Sequence, residues 1–166
     1  MSKLQLAIDQ ITFARGYSLR LLDQTKVEDW FREPPAGITH IAWQVGHMTM
    51  AEYYLALVRT RGEQPEDETL IPLEFRKLFE ARTVPSADPS IYPNQSTIRS
   101  VFDRVHAQAL RDLASLDERQ MDEPSLKPHS LFKTKFGALI WCSQHELVHA
   151  GQIGLLRRQL GYAPVW

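Results

Sequence analysis

The string His145-Glu146-Leu147-Val148-His149 sets two imidazoles four residues apart, one above the other on a single face of a helix. Both can then bind the same divalent ion. The string also fits H-E-x-x-H, the zinc-protease pattern in which the glutamate serves as base. Residues 150–166 hold no His, Asp, Glu or Cys, so a downstream third ligand is missing. A third protein ligand has to come from an earlier part of the chain. This argues against a protease and for a site built across the fold.

His47 is the candidate partner. The stretch from about His40 to Thr60 reads as a helix capped by Thr39, with His40, Trp43, His47, Ala51, Tyr54 and Val58 on its inner face. The last helix runs from about Lys133 to Leu160, and Gly161 stops it as a C′ glycine does. Ala138, Trp141, His145, His149, Gln152 and Leu156 fall in one stripe of that helix and face the interior. Unpaired imidazoles there are costly, so they need hydrogen-bond partners, water or a metal. One His from one helix and an i, i+4 pair from another make a three-imidazole site, with the remaining positions left to water or substrate. The competing reading is a metal-free histidine cluster.

Other residues are weighed around this core. Glu146 lies about 100° round the helix from His145 and is the candidate catalytic base; it can equally face solvent or pair with a basic neighbour. Gln44 and Gln152 sit one turn from His47 and His149, and can orient a ligand or bond within the core. His40 opens its helix. His106 and His129 lack a partner at ligand spacing and read as surface or loop residues. Cys142 reads as a small buried side chain. Arg157 and Arg158 suit a solvated helix end, where positive charge is favoured. Trp43, Tyr54 and Trp141 pack beside the site.

The remaining pattern supplies a scaffold. A first helix spans about Lys3 to Gln24, with Leu4, Ile8, Ile11, Ser18 and Leu22 in register. Glu33-Pro34-Pro35-Ala36-Gly37 breaks the chain. Between Arg61 and Pro93 only a short helix, about Leu73 to Ala81, is expected. Asn94 or Ser96 caps a third long helix reaching about Leu116, with Ile98, Val101, Phe102, Val105, Ala109 and Leu113 in its apolar stripe. A loop follows from Asp117 to Ser130. The prediction is an all-α, single-domain four-helix bundle over residues 1–166. Its long connection between helices two and three favours a crossover.

Composition narrows the partners. With 19 basic and 20 acidic residues the net charge is −1, so no basic excess points to nucleic acid or an anionic membrane. One cysteine excludes an intrachain disulfide, which agrees with a reducing cytoplasm. Neither a signal core nor a membrane span is visible.

The segment Thr39-His40-Ile41-Ala42-Trp43-Gln44-Val45-Gly46-His47, followed by Glu52-Tyr53-Tyr54, resembles the second helix of the DinB-like (DinB/YfiT) superfamily. Gln144-His145-Glu146-Leu147-Val148-His149-Ala150-Gly151-Gln152-Ile153 resembles its last helix. The resemblance implies a four-helix bundle that holds a divalent metal, zinc or nickel, through His47, His145 and His149. It implies homodimers, and a small-molecule substrate with a low-molecular-weight thiol as a possible co-substrate. Characterised relatives are thiol-dependent transferases and isomerases. The resulting expectation is a metal-dependent enzyme that activates a thiol or water for S-transfer or hydrolysis. A non-enzymatic metal-binding stress-response or dimerisation module is the alternative.

Overall fold

Three of the four long helices start where a short polar side chain satisfies a free backbone N–H. Ser2 accepts from Gln5 N and opens α1 (Lys3–Asp23). α2 (Ile41–Glu52) runs on through a π-helical turn (Tyr53–Val58) into α3 (Arg59–Arg61). Short α4 (Asp67–Leu70) and α5 (Leu73–Phe79) follow. Asn94 accepts from Thr97 N and opens α6 (Gln95–Ala114). Thr134 does the same for α7 (Lys135–Gln159). Gly161 lies beyond it at φ +94°. This computed structural model describes residues 2–35 and 37–165, leaving Ala36 of the expected break outside the described residues. Among the described residues there is no strand, only an isolated bridge between Pro124 and Thr134.

One cap differs from expectation. His40 caps α2, its Nδ1 accepting from Trp43 N at 3.1 Å. Thr39 instead accepts from Gln44 Nε2 at 3.1 Å. An imidazole nitrogen in its neutral form is as good an acceptor here as a hydroxyl.

Contacts between the helices give their directions. α1 and α7 run parallel: Arg15 meets Glu146, and Thr25 near the end of α1 meets Arg157 near the end of α7. α2 and α6 also run parallel, since Glu52 meets His106 and Arg61 further on meets Asp112. α2 and α7 are antiparallel, with Gln44 against the later His149. The bundle is therefore up-down-down-up. Parallel α2 and α6 cannot be joined by a tight turn, which is why residues 62–94 form a crossover carrying α4 and α5.

α2 is buried nearly all round: Ile41, Ala42, Val45, Met48 and Met50 are all core residues. Such a helix belongs in the middle of a fold. Gly46 permits one close approach. A Cβ there would stand 2.3 Å from Cδ1 of Phe79, the last residue of α5.

Buried charge joins the four long helices. Arg15 of α1 donates to Glu52 of α2 at 2.6 Å, to Glu146 of α7 at 2.9 Å, and to the Phe102 carbonyl of α6 at 2.9 Å. Its guanidinium carbon stands 3.3 Å from the Phe102 ring centroid. Burial alone would push the Glu52 carboxyl up, but Arg15 and His106 hold it below its ordinary value. The sequence carried a signal for this. Arg15 sits four residues after Ile11 and three before Ser18, inside the apolar stripe of α1.

Arg15→Met leaves two buried carboxylates without their cation. It should lower stability by about 3–5 kcal/mol, read as a shift in the urea midpoint. Adding Glu52→Gln and Glu146→Gln should recover a large part of the loss. No difference between the single and the triple variant would count against a charge origin.

Candidate metal centre

Three imidazoles meet where α2 crosses α7. His47, His145 and His149 each present a possible ligand atom, all within 4.8 Å of one another. All three are half-buried. Nε2 of His145 and Nε2 of His149 are 3.3 Å apart. Two nitrogens at about 2.0–2.1 Å from a tetrahedral ion have a very similar separation.

Neighbouring groups orient two of the rings. His47 Nδ1 lies 3.0 Å from the Phe79 carbonyl oxygen. A carbonyl only accepts, so Nδ1 carries the proton and Nε2 keeps its lone pair. The close approach at Gly46 delivers that carbonyl. His149 Nδ1 lies 2.6 Å from Gln44 Oε1, while Gln44 Nε2 donates to Thr39. The Thr39–Gln44–His149 chain therefore leaves Nε2 of His149 free as well. This arrangement, with Nδ1–H tied back and Nε2 exposed, is the one that metal-binding histidines commonly adopt. Nδ1 of His145 is buried without a hydrogen-bond partner.

The rings are packed as well as bonded. Trp43 stacks on His47 with centroids 4.9 Å apart and an interplanar angle of 5°. Trp141 meets His145 edge to face at 6.0 Å. Two clefts flank the cluster. One, of about 380 Å³, has His47 and His145 in its lining together with Met50, Tyr54, Arg59 and Trp141. The other, of about 500 Å³, has His149 and Gln152 in its lining beside Ile38, Pro85 and Leu155.

Not every candidate joins the cluster. The carboxylate of Glu146 points into the core, where both its oxygens accept from Arg15, at 2.9 and 3.3 Å. Gln152 is exposed at the second cleft rather than interior. His106, read as a surface residue, is half-buried, with Nδ1 at 2.7 Å from Glu52. Arg157, read as solvated, is buried and bonds Thr25 at 2.9 Å and the Gln24 carbonyl at 3.1 Å. Cys142 is buried, and burial first, then Glu52 and Glu146, push its thiol well above its ordinary pKa. The loop after α6 contributes Lys127 and His129 to the first cleft. Periodicity could not have found those two, because the loop has none.

A model of the DinB superfamily matches residues 10–153. The chain belongs to the DinB superfamily. The match spans both histidine-bearing helices of the bundle. The fold also resembles that of a conserved protein from Enterococcus faecalis known from a crystal structure, with a TM-score of 0.71 at 15% identity. That likeness covers 98% of this chain and 99% of the other. No curated protein matches. No described helix is long and apolar enough to cross a membrane.

Burial keeps the cluster neutral. It lowers the pKa of His145 to about 3, with repulsion from His149 and His47 adding to the effect. It lowers His149 to about 4, again with help from His47. Burial lowers His47 too, against the Phe79 bond that raises it. All three are then uncharged at neutral pH, the state in which imidazole binds metal.

The sign of the pH effect follows. The unfolded histidines titrate near 6.5, so below that pH the unfolded chain takes up protons that the native site refuses. Stability contributed by the neutral cluster is fully present above about 6.5 and falls as pH drops toward about 4. Chemical denaturation of chelator-treated protein between pH 8 and pH 4 should show this decline. It should be shallower in His145→Ala. Identical pH profiles for the two proteins would exclude the cluster as its source.

Proposed function

We propose that this DinB-superfamily protein holds a divalent metal, zinc or nickel, between His47, His145 and His149. On this reading it is a metal-dependent enzyme acting on a small molecule by S-transfer or hydrolysis. The observation that carries the reading is the convergence of three neutral imidazoles, two of them with Nδ1 tied to an acceptor and Nε2 left free. The donor set fits such an ion. Three neutral nitrogens suit zinc or nickel, and a set of three leaves room for a further ligand.

A divalent ion bound there supplies a Lewis acid that lowers the pKa of a thiol or a water and stabilises the resulting anion. The chain's own residues do the rest. Phe79 and Gln44 fix the two ring orientations, and Trp43 holds the plane of His47. Met50, Leu55 and Trp141 give the cleft beside His47 and His145 an apolar wall for a small molecule. Glu146 is committed to Arg15, so its support to the site is positional, holding the rotation of α7.

Metal content by inductively coupled plasma mass spectrometry tests the reading. Wild type should hold about one divalent ion per chain, and His47→Ala and His149→Ala should lose it while keeping their circular dichroism. Gln44→Leu should retain the three ligands yet bind metal about 10–100-fold more weakly. Absence of metal from reconstituted wild type would overturn the proposal. A full complement of metal with no turnover of thiol electrophiles or esters would favour the non-enzymatic alternative.

A further inference from the structure

Among the described residues one fully enclosed guanidinium nitrogen lacks a hydrogen-bond partner, and it belongs to Arg59. Arg15 has Glu52, Glu146 and the Phe102 carbonyl. Arg61 has Asp67 at 2.7 Å and Asp112 at 2.5 Å. Arg157 has Thr25 and Gln24. Arg59 is half-buried, and its Nε is fully enclosed without a partner. Among the described residues no carboxylate pairs with it. Its nearest support is the Phe132 ring, 5.6 Å from the guanidinium carbon. An enclosed guanidinium N–H without an acceptor is unfavourable unless a ligand supplies one.

The charged neighbours in the cleft do not pair with Arg59. Glu80 accepts from the Tyr54 hydroxyl at 3.1 Å. Lys127 is paired with Glu63. Arg59 lines the same cleft as these groups and as His47 and His145, against apolar Met50, Leu55 and Trp141.

The backbone accounts for its position. In an unbroken α-helix residue 58 stands eleven places after His47, within about 20° of the same face. The π-helical turn Tyr53–Val58 inserts one residue into that register. Val58 is consequently fully buried, and Arg59 takes the place on the cleft face. A π-turn sacrifices regular helix geometry, and here it exchanges a valine for an arginine on the wall of the cleft.

We propose that Arg59 anchors an oxyanion, and that the cleft takes a small, largely apolar anion whose carboxylate or phosphate pairs with Arg59 while its other end reaches His47 and His145. The planar fork of arginine matches either oxyanion in a bidentate manner. This names the ligand class of the candidate metal centre, and it depends on that reading only for the reacting end of the ligand.

Calorimetric titration of metal-stripped protein at fixed ionic strength separates the two claims. The probes are benzoate, phenyl phosphate and benzyl alcohol. At least one oxyanion should bind about tenfold more tightly than the neutral alcohol, and whichever does identifies the carboxylate or the phosphate source. Arg59→Met should weaken that oxyanion about tenfold or more. Arg59→Lys keeps the charge but loses the planar fork, so it should recover only part of the affinity lost in Arg59→Met, and both variants should keep the wild-type metal content. Equal binding of oxyanion and alcohol by wild type would overturn the proposal, as would unchanged oxyanion affinity in a folded Arg59→Met. Oxyanion binding that requires metal and ignores Arg59 would also overturn it, while leaving the metal centre intact.

Discussion

A single buried cation holds the bundle in register. Arg15 reaches α2, α6 and α7 from α1, and two of its partners sit on the helices that carry the histidines. Glu146 directly follows His145, so pinning Glu146 in the core turns His145 toward α2. Glu52 lies five residues after His47 and pins the rotation of α2 in the same way. The bonds to Arg15 are directional, whereas apolar packing tolerates small rotations of a helix. The separation of the three imidazoles thus depends on a polar knot on the far side of both helices. Net stability need not come from that knot, since buried ion pairs often only break even. Its contribution is to favour one arrangement of four helices over its neighbours.

On the other side of α2, a missing side chain sets the site. Without a Cβ at Gly46, Phe79 can lie against the helix, and its carbonyl then reaches His47. The crossover between α2 and α6 is therefore part of the centre. Fixing the tautomers of His47 and His149 costs the protein little, because both Nδ1–H groups are satisfied. His145 stays under-satisfied, with its Nδ1 buried and unpartnered. A buried polar atom left unsatisfied at one spot is a common mark of a functional site.

Much of the architecture was legible in the chain. Four stripes of period 3.6 gave the four long helices to within a few residues at their ends, and proline-rich breaks gave the connections. The length of the second connection pointed to a crossover, which the parallel run of α2 and α6 requires. The misreadings share a cause. Thr39 was expected to cap α2, yet His40 does. Val58 is buried as its place on the inner face predicts, but the cleft beyond Tyr54 is lined by Arg59, which the wheel did not anticipate. Each follows from a one-residue local choice that a helical wheel, assuming uniform turns, cannot represent. His106 and Arg157 looked like surface residues because their partners, Glu52 and Thr25, lie far away in sequence.

The chain by itself determined its helices, its class, and the pairing of His145 with His149, because these depend on spacing along a single helix. Spacing and resemblance also singled out His47. Tertiary structure alone decided that His47 comes within reach of that pair, and that Glu146 turns away from it to meet Arg15. It alone placed Arg59, Lys127 and His129 around one cleft. Such placements depend on how helices rotate about their axes and how irregular loops return to them. Those rotations are settled by contacts between residues dozens of positions apart, which no local period encodes.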